Sequence, residues 1–162
     1  MATQVMSWLL AIPLLGVATG CRAMTPIAAL CWFAWFRLLP VEHTWAFWTA
    51  SLLSVIVFTV LALGEFIGDK LPKTPSRLAP GALAARIVFG GLVGAIIATS
   101  LKGSVAEGSI LGIIGAVIGA FGGYHVRHFL VFHNKCRDWP VAVLEDFCVV
   151  LITVFALRLA TT

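Results

Sequence analysis

Charge is what this sequence lacks. Only 11% of its 162 residues are Asp, Glu, Lys or Arg, whereas a soluble globular domain carries about 25%. Too little polar surface remains to cover a water-facing fold, which excludes an ordinary soluble enzyme or binding domain. Familiar catalytic signatures are missing as well. The chain has no Gly-x-Ser-x-Gly elbow, no His-Glu-x-x-His helix and no Walker phosphate loop. No Lys or Arg precedes the first apolar run, so a signal peptide's basic n-region is absent and the first segment is expected to stay in the chain. The four cysteines, Cys21, Cys31, Cys136 and Cys148, have the spacing of neither a zinc pair nor a disulfide framework.

What is abundant is apolar. Hydrophobic residues make up 60% of the chain and the mean hydropathy is +1.03. They fall into six segments: Val5–Gly20, Ile27–Leu39, Ala46–Ile67, Leu83–Leu101, Ser109–Val131 and Trp139–Leu157. The longer ones match the ~20 residues a helix needs to cross ~30 Å of hydrocarbon. The expected fold is an all-α membrane protein, a compact bundle of about six transmembrane segments forming one domain over residues 1–162. The first two segments are short, and Thr25 followed by Pro26 reads as an N-cap followed by a first-turn proline. Two structures fit them: a pair of tight spans, or one re-entrant hairpin with Arg22 at its tip.

Either structure returns the chain to its starting side, so downstream topology is the same. Alternating the loops places Arg22, Lys70, Lys73, Arg77, Arg86, Arg127, Lys135 and Arg137 on one side. Arg37, Lys102 and Arg158 fall on the other. Basic residues concentrate in cytoplasmic loops, so the first set is expected inside, both termini outside, and the loop over residues 70–86 in the cytoplasm. The same sorting explains the basic pI of about 9.2 without nucleic acid as a partner. Residues 1–69 and 83–162 each hold three segments and are joined by the basic stretch 70–82. A duplication with an odd number of spans would make the halves inverted, as in many transporters.

Gly112, Gly115, Gly119 and Gly122 form a stripe, and Gly90 with Gly94 forms a GxxxG pair. Small residues at this spacing let helix backbones approach closely. Trp8, Trp45 and Trp48 are expected at the outer interface and Trp139 at the inner one. Trp32 and Trp35 do not fit such a belt and are expected to pack within the protein.

Ionisable groups inside spans are costly, about 2.5–3.5 kcal/mol each on insertion scales, and are functional candidates by default. Here Glu65, Asp69, Glu145, Asp146, Arg22 and Arg127 all fall toward the predicted inner end. The stretch Asp69-Lys70-Leu71-Pro72-Lys73-Thr74-Pro75-Ser76-Arg77 offers cations and a hydroxyl on a backbone stiffened by two prolines, which suits a phosphate or another anion. The bland alternative is a basic loop that only fixes orientation and touches anionic headgroups. His125, His128, His133 and Cys136 follow no zinc spacing. The acids could instead hold Mg²⁺ against a substrate phosphate.

Three stretches carry a resemblance: Gly20-Cys21-Arg22-Ala23-Met24-Thr25-Pro26, then Asp69 to Arg77, then Leu144-Glu145-Asp146-Phe147. They resemble the signatures of a small bacterial membrane family catalogued as domain of unknown function 4126. The resemblance implies a multi-pass membrane protein of the bacterial inner membrane and brings no activity, substrate or catalytic assignment. A looser likeness, by residue type alone, is to membrane enzymes that transfer nucleotidyl groups to lipid phosphates.

Three functions follow as expectations. The first is a small transporter or flippase for an anionic lipid or a phosphate-bearing small molecule. Arg22, Lys70, Lys73, Ser76, Arg77 and Arg127 would bind the substrate; Glu65, Asp69, Glu145 and Asp146 would couple protons or ions. The second is an intramembrane enzyme acting on a lipid phosphate, with Mg²⁺ as its cofactor. The third is a structural or accessory subunit, and a homo-oligomer fits any of them. No resident cofactor or metal is expected for the first and third.

Overall fold

A computed structural model of the chain describes residues 2–68, 78–133 and 138–161, excepting the side chains of residues 2–7 and Asp138. All regular structure among them is helical. Helix α1 spans Ala2–Cys21, α2 Met24–Trp35, α3 Leu52–Gly68, α4 Pro80–Ser100, α5 Val105–His128 and α6 Asp138–Thr161. A 3-10 turn, Phe47–Ala50, precedes α3, and a π-helical segment, Phe129–His133, extends α5. Three of these are long and apolar enough to cross a membrane: Pro80–Ser100, Val105–His133 and Trp139–Thr161. The other three are apolar but shorter. Lys70, Lys73, Ser76, Arg77, Asp69 and Cys136 lie outside the described residues.

The boundaries follow from local chemistry. Pro80 opens α4 in its first turn, where a missing N–H costs nothing. Ser104 caps α5 by accepting the Glu107 N–H. Helices α2 and α4 end alike. Arg37 and Lys102 adopt left-handed backbone, each with φ 58°. The next residues, Leu38 and Gly103, donate back to Phe33 O and Ala98 O at 2.9 and 2.7 Å. These bonds satisfy terminal carbonyls, and each places a cation at a negative helix end.

Helix α5 sits between α4 and α1, and glycine makes that position possible. It runs antiparallel to α4, with Gly108 against Gly94 and Gly112 against Gly90, and parallel to α1, with Gly115 against Gly16 and Gly119 against Val17. At Gly94 a Cβ would collide with the Gly108 carbonyl, and at Gly115 it would stand 2.6 Å from Pro13 O. Backbone therefore lies on backbone along this seam. Gly122 differs, since a Cβ there meets nothing within 4 Å. The stripe is a packing surface over three of its four glycines. Fully buried Ile12, Leu15, Ile27, Leu30, Ile96, Ile97 and Leu157 form one core beside it.

The long α2–α3 connection is packed rather than looped out. Leu39, Val41, Ala46 and Thr49 are buried, and Trp45 Nε1 donates to Thr99 Oγ1 at 2.9 Å. The third apolar segment therefore does not begin as helix at Ala46. Just before Leu52, protein covers Ala46 and Thr49, while Phe47 stays 64% exposed. Trp32 and Trp35 also depart from expectation: they are 41% and 43% exposed. Both lie in the last turn of the short α2. The Trp32 indole donates to Thr59 Oγ1 at 3.0 Å and stacks on Phe36, so it needs no burial to satisfy its N–H.

Candidate functional site: a buried charge cluster at one end of the bundle

Helix α1 ends and α2 begins with only Arg22 and Ala23 between them. The turn is not at the rim of the bundle. It meets Glu65, which faces Arg86, six residues into α4, and it meets Asp146, eight residues into α6. Those offsets correspond to roughly 9 and 12 Å of helix rise. The Arg22 side chain is fully buried and forms an ion pair with Asp146. Its Nη1 donates to the Glu65 carbonyl at 3.4 Å, placing a cation at the negative end of α3. The guanidinium also lies over the Phe66 ring, 5.4 Å from the centroid, a cation–π contact.

Glu65 does something the local sequence does not announce. Its two oxygens each accept one backbone N–H at the start of α2, from Ala23 and Met24, both at 2.9 Å. The carboxylate of α3 thus caps α2 in trans, meeting two orphan donors and the positive helix end. Thr25 is not the N-cap that the sequence suggests. Ala23 already has helical dihedrals, and Thr25 lies inside the first turn. Its hydroxyl is buried and has no hydrogen-bond partner among the described residues.

Two further basic residues complete the cluster. Arg86 Nη2 stands 3.9 Å from Glu65 Oε1, and its Nη1 donates to Ala82 O at 3.1 Å. Arg127 Nη1 stands 3.9 Å from Glu145 Oε2. Of the expected site residues, Arg22, Glu65 and Asp146 are brought together, while Arg127 and Glu145 pair with each other. Arg86 was expected only as a loop charge; it is in fact a buried member of the site. Its position six residues after a helix-starting proline is the signal that could have revealed this.

Among the described residues no three His, Cys, Asp or Glu side chains form a metal-ligand set. Two histidines instead stack on aromatics one turn away, His128 at the end of α5 on Phe132 at 4.6 Å and His133 of the π-helical segment on Phe129 at 4.9 Å. They line a shallow open groove. No family model, curated protein or solved structure matches the chain.

Proposed function

We propose that this chain is a multi-pass protein of the bacterial inner membrane and acts as a small transporter or flippase for an anionic or phosphate-bearing substrate. The carrying observation is the fully buried Arg22, joined at helix depth to the Asp146 carboxylate of α6 and to the Glu65 backbone carbonyl of α3. A buried ion pair adds little stability over apolar residues of the same volume, and charge at membrane depth is functional by default. In this reading Arg22 and Arg86 receive the anion, and Glu65 and Asp146 hold them between cycles. The short α2 dips into the bilayer from the α1 turn, both termini are outside, and the charged end faces the cytoplasm. The three motifs quoted above support membership of the domain of unknown function 4126 family.

The test is flux. Purified protein in liposomes is assayed for uptake of labelled phosphate and for scrambling of fluorescent phosphatidic acid. Wild type is expected to exceed protein-free vesicles, with Arg22→Gln at least tenfold slower although folded. Wild-type flux equal to that of empty vesicles for every anion would overturn the proposal. A second reading, a structural or accessory subunit, is favoured by a specific observation: Arg22, Arg86 and Arg127 each face an acid. It predicts no flux and stoichiometric co-purification of another membrane protein.

A further inference from the structure

The Glu65 carboxylate occupies a position built for an anion. Two backbone N–H groups at the start of α2 point at its two oxygens at 2.9 Å. The Arg86 guanidinium stands 3.9 Å from one of them, and Arg22 binds the same residue through its carbonyl. Helix N-termini with a cation beside them, here Arg86, commonly hold phosphates or carboxylates, and Arg22 stands at the start of the same turn. A capping role alone would need only Glu65 and the two amides. Thr25 is the surplus. It is 7% exposed, and its Oγ1 has no hydrogen-bond partner among the described residues. Thr25 follows Met24 in the first turn of α2, and the Cα–Cβ bonds of a helix tilt toward its N-terminus, here the end that Glu65 caps. An unmatched buried hydroxyl is costly. A carboxylate has two oxygens, and Ala23 and Met24 engage one each. A tetrahedral phosphate group brings a third.

We infer that Glu65 is a built-in stand-in for the ligand: the first turn of α2, with Arg22, Arg86 and Thr25, is a phosphate-group site that Glu65 plugs and vacates when a phosphate enters. Two glutamate oxygens are exchanged for three phosphate oxygens, with Thr25 as the added donor. The inference rests on the anion-handling reading above and names the atoms that would take the anion. The ligand chemistry is a phosphate monoester or inorganic phosphate, free or on a lipid headgroup.

The experiment measures thermal unfolding of the full chain in detergent, titrated with inorganic phosphate or with phosphatidic acid in mixed micelles. Removing the plug by Glu65→Ala should lower Tm. Phosphate should then raise it by about 3 °C at ten times the half-saturating concentration. Wild type, still plugged, should respond several-fold less. Adding Thr25→Val to Glu65→Ala should raise the half-saturating concentration about tenfold. A response to inorganic phosphate assigns a free anion; a response to phosphatidic acid alone assigns a headgroup. No response to either ligand, or an equal response after Thr25→Val, overturns the inference. Should Glu65→Ala not fold, Glu65→Gln keeps the shape without the charge, and absence of a phosphate-dependent rise there is equally decisive. Failure is separable from failure of the transport reading. Wild-type flux without stabilisation by phosphate removes only the plugged site, and stabilisation without flux removes only transport.

Discussion

Two neighbouring regions at the C-terminal half of helix α1 face opposite kinds of chemistry. Along its length Gly16 and Gly20 lie against the backbone of α5, with no side chain between. At its C-terminal end, Arg22 reaches across to α3 and α6 through a long flexible side chain. The seam has one packing solution, because helices in backbone contact cannot slide without collision. Under the proposed function the charged end has several, because an arginine can exchange one carboxylate for another anion while its helix stays still. Rigidity and adaptability are therefore separated within about one turn of helix. The α1, α4 and α5 seam is the frame, and the α1–α2 turn with α3 and α6 is the part able to respond.

The largest effect expected from breaking this contrast lies in the frame. Gly94→Val places atoms where the Gly108 carbonyl already is, and relief requires separating α4 from α5. A loss of about 3 kcal/mol or more is expected, seen as failure to recover monodisperse protein from detergent. Next comes the charged end. Asp146→Ala removes the carboxylate that pairs with the buried Arg22, and removing one member of a buried pair costs about 3–5 kcal/mol. The sharper form is the double variant Arg22→Met with Asp146→Leu. Removing both charges should restore most of the Tm that Asp146→Ala loses, while anion flux stays abolished. If the double variant is as unstable as the single one, the pair is part of the frame and the contrast fails.

How much of this the sequence discloses depends on whether the cause is local. Apolar runs and the glycine stripe are local properties, and they located the helices and the seam. Helix starts were less visible. Ala46 to Ser51 is as apolar as a span, yet it is turn and 3-10 structure, with Ala46 and Thr49 buried and Phe47 exposed; apolar composition alone does not separate such a stretch from a helix. Thr25-Pro26 has the composition of a cap, yet the capping group is Glu65, forty residues later in the chain. Nothing in the first turn encodes a partner held there by tertiary packing. Arg86 was hidden for the same reason: charge counting registers its sign but not its depth. Arg22 and Asp146 were legible because an ionised group beside an apolar run has to find a counter-charge, whichever helix supplies it.

Within the charged end, the trans cap should be weaker than the ion pair. Glu65→Gln keeps one acceptor for an α2 N–H and turns an amide group toward the other. A loss of about 1 kcal/mol is expected, read as a Tm decrease with α2 amides exchanging faster than those of α4. Equal loss of protection in both helices would mean that the cap holds the whole bundle together. Arg127→Gln should matter less still. Its pair with Glu145 is long, at 3.9 Å, and both side chains are partly exposed, so less than about 1 kcal/mol is expected.

The smallest effect returns to the glycine stripe and has the opposite sign. Gly122 continues the spacing of Gly112, Gly115 and Gly119, so a reading based on spacing alone makes it a fourth contact. The structure leaves open space where its Cβ would go. With no neighbour to displace, the change reduces to backbone preference, and alanine is favoured over glycine in a helix interior by about 0.5–1 kcal/mol. Gly122→Ala should therefore leave Tm unchanged or raise it slightly, whereas Gly119→Ala, where the added methyl would strike the Val17 carbonyl, should lower it. The pair isolates close approach from sequence pattern, since the two residues lie three apart on one helix and differ only in what stands opposite. Equal destabilisation by both would mean that something covers Gly122 in the membrane, and the seam would then extend to the level of the charged end.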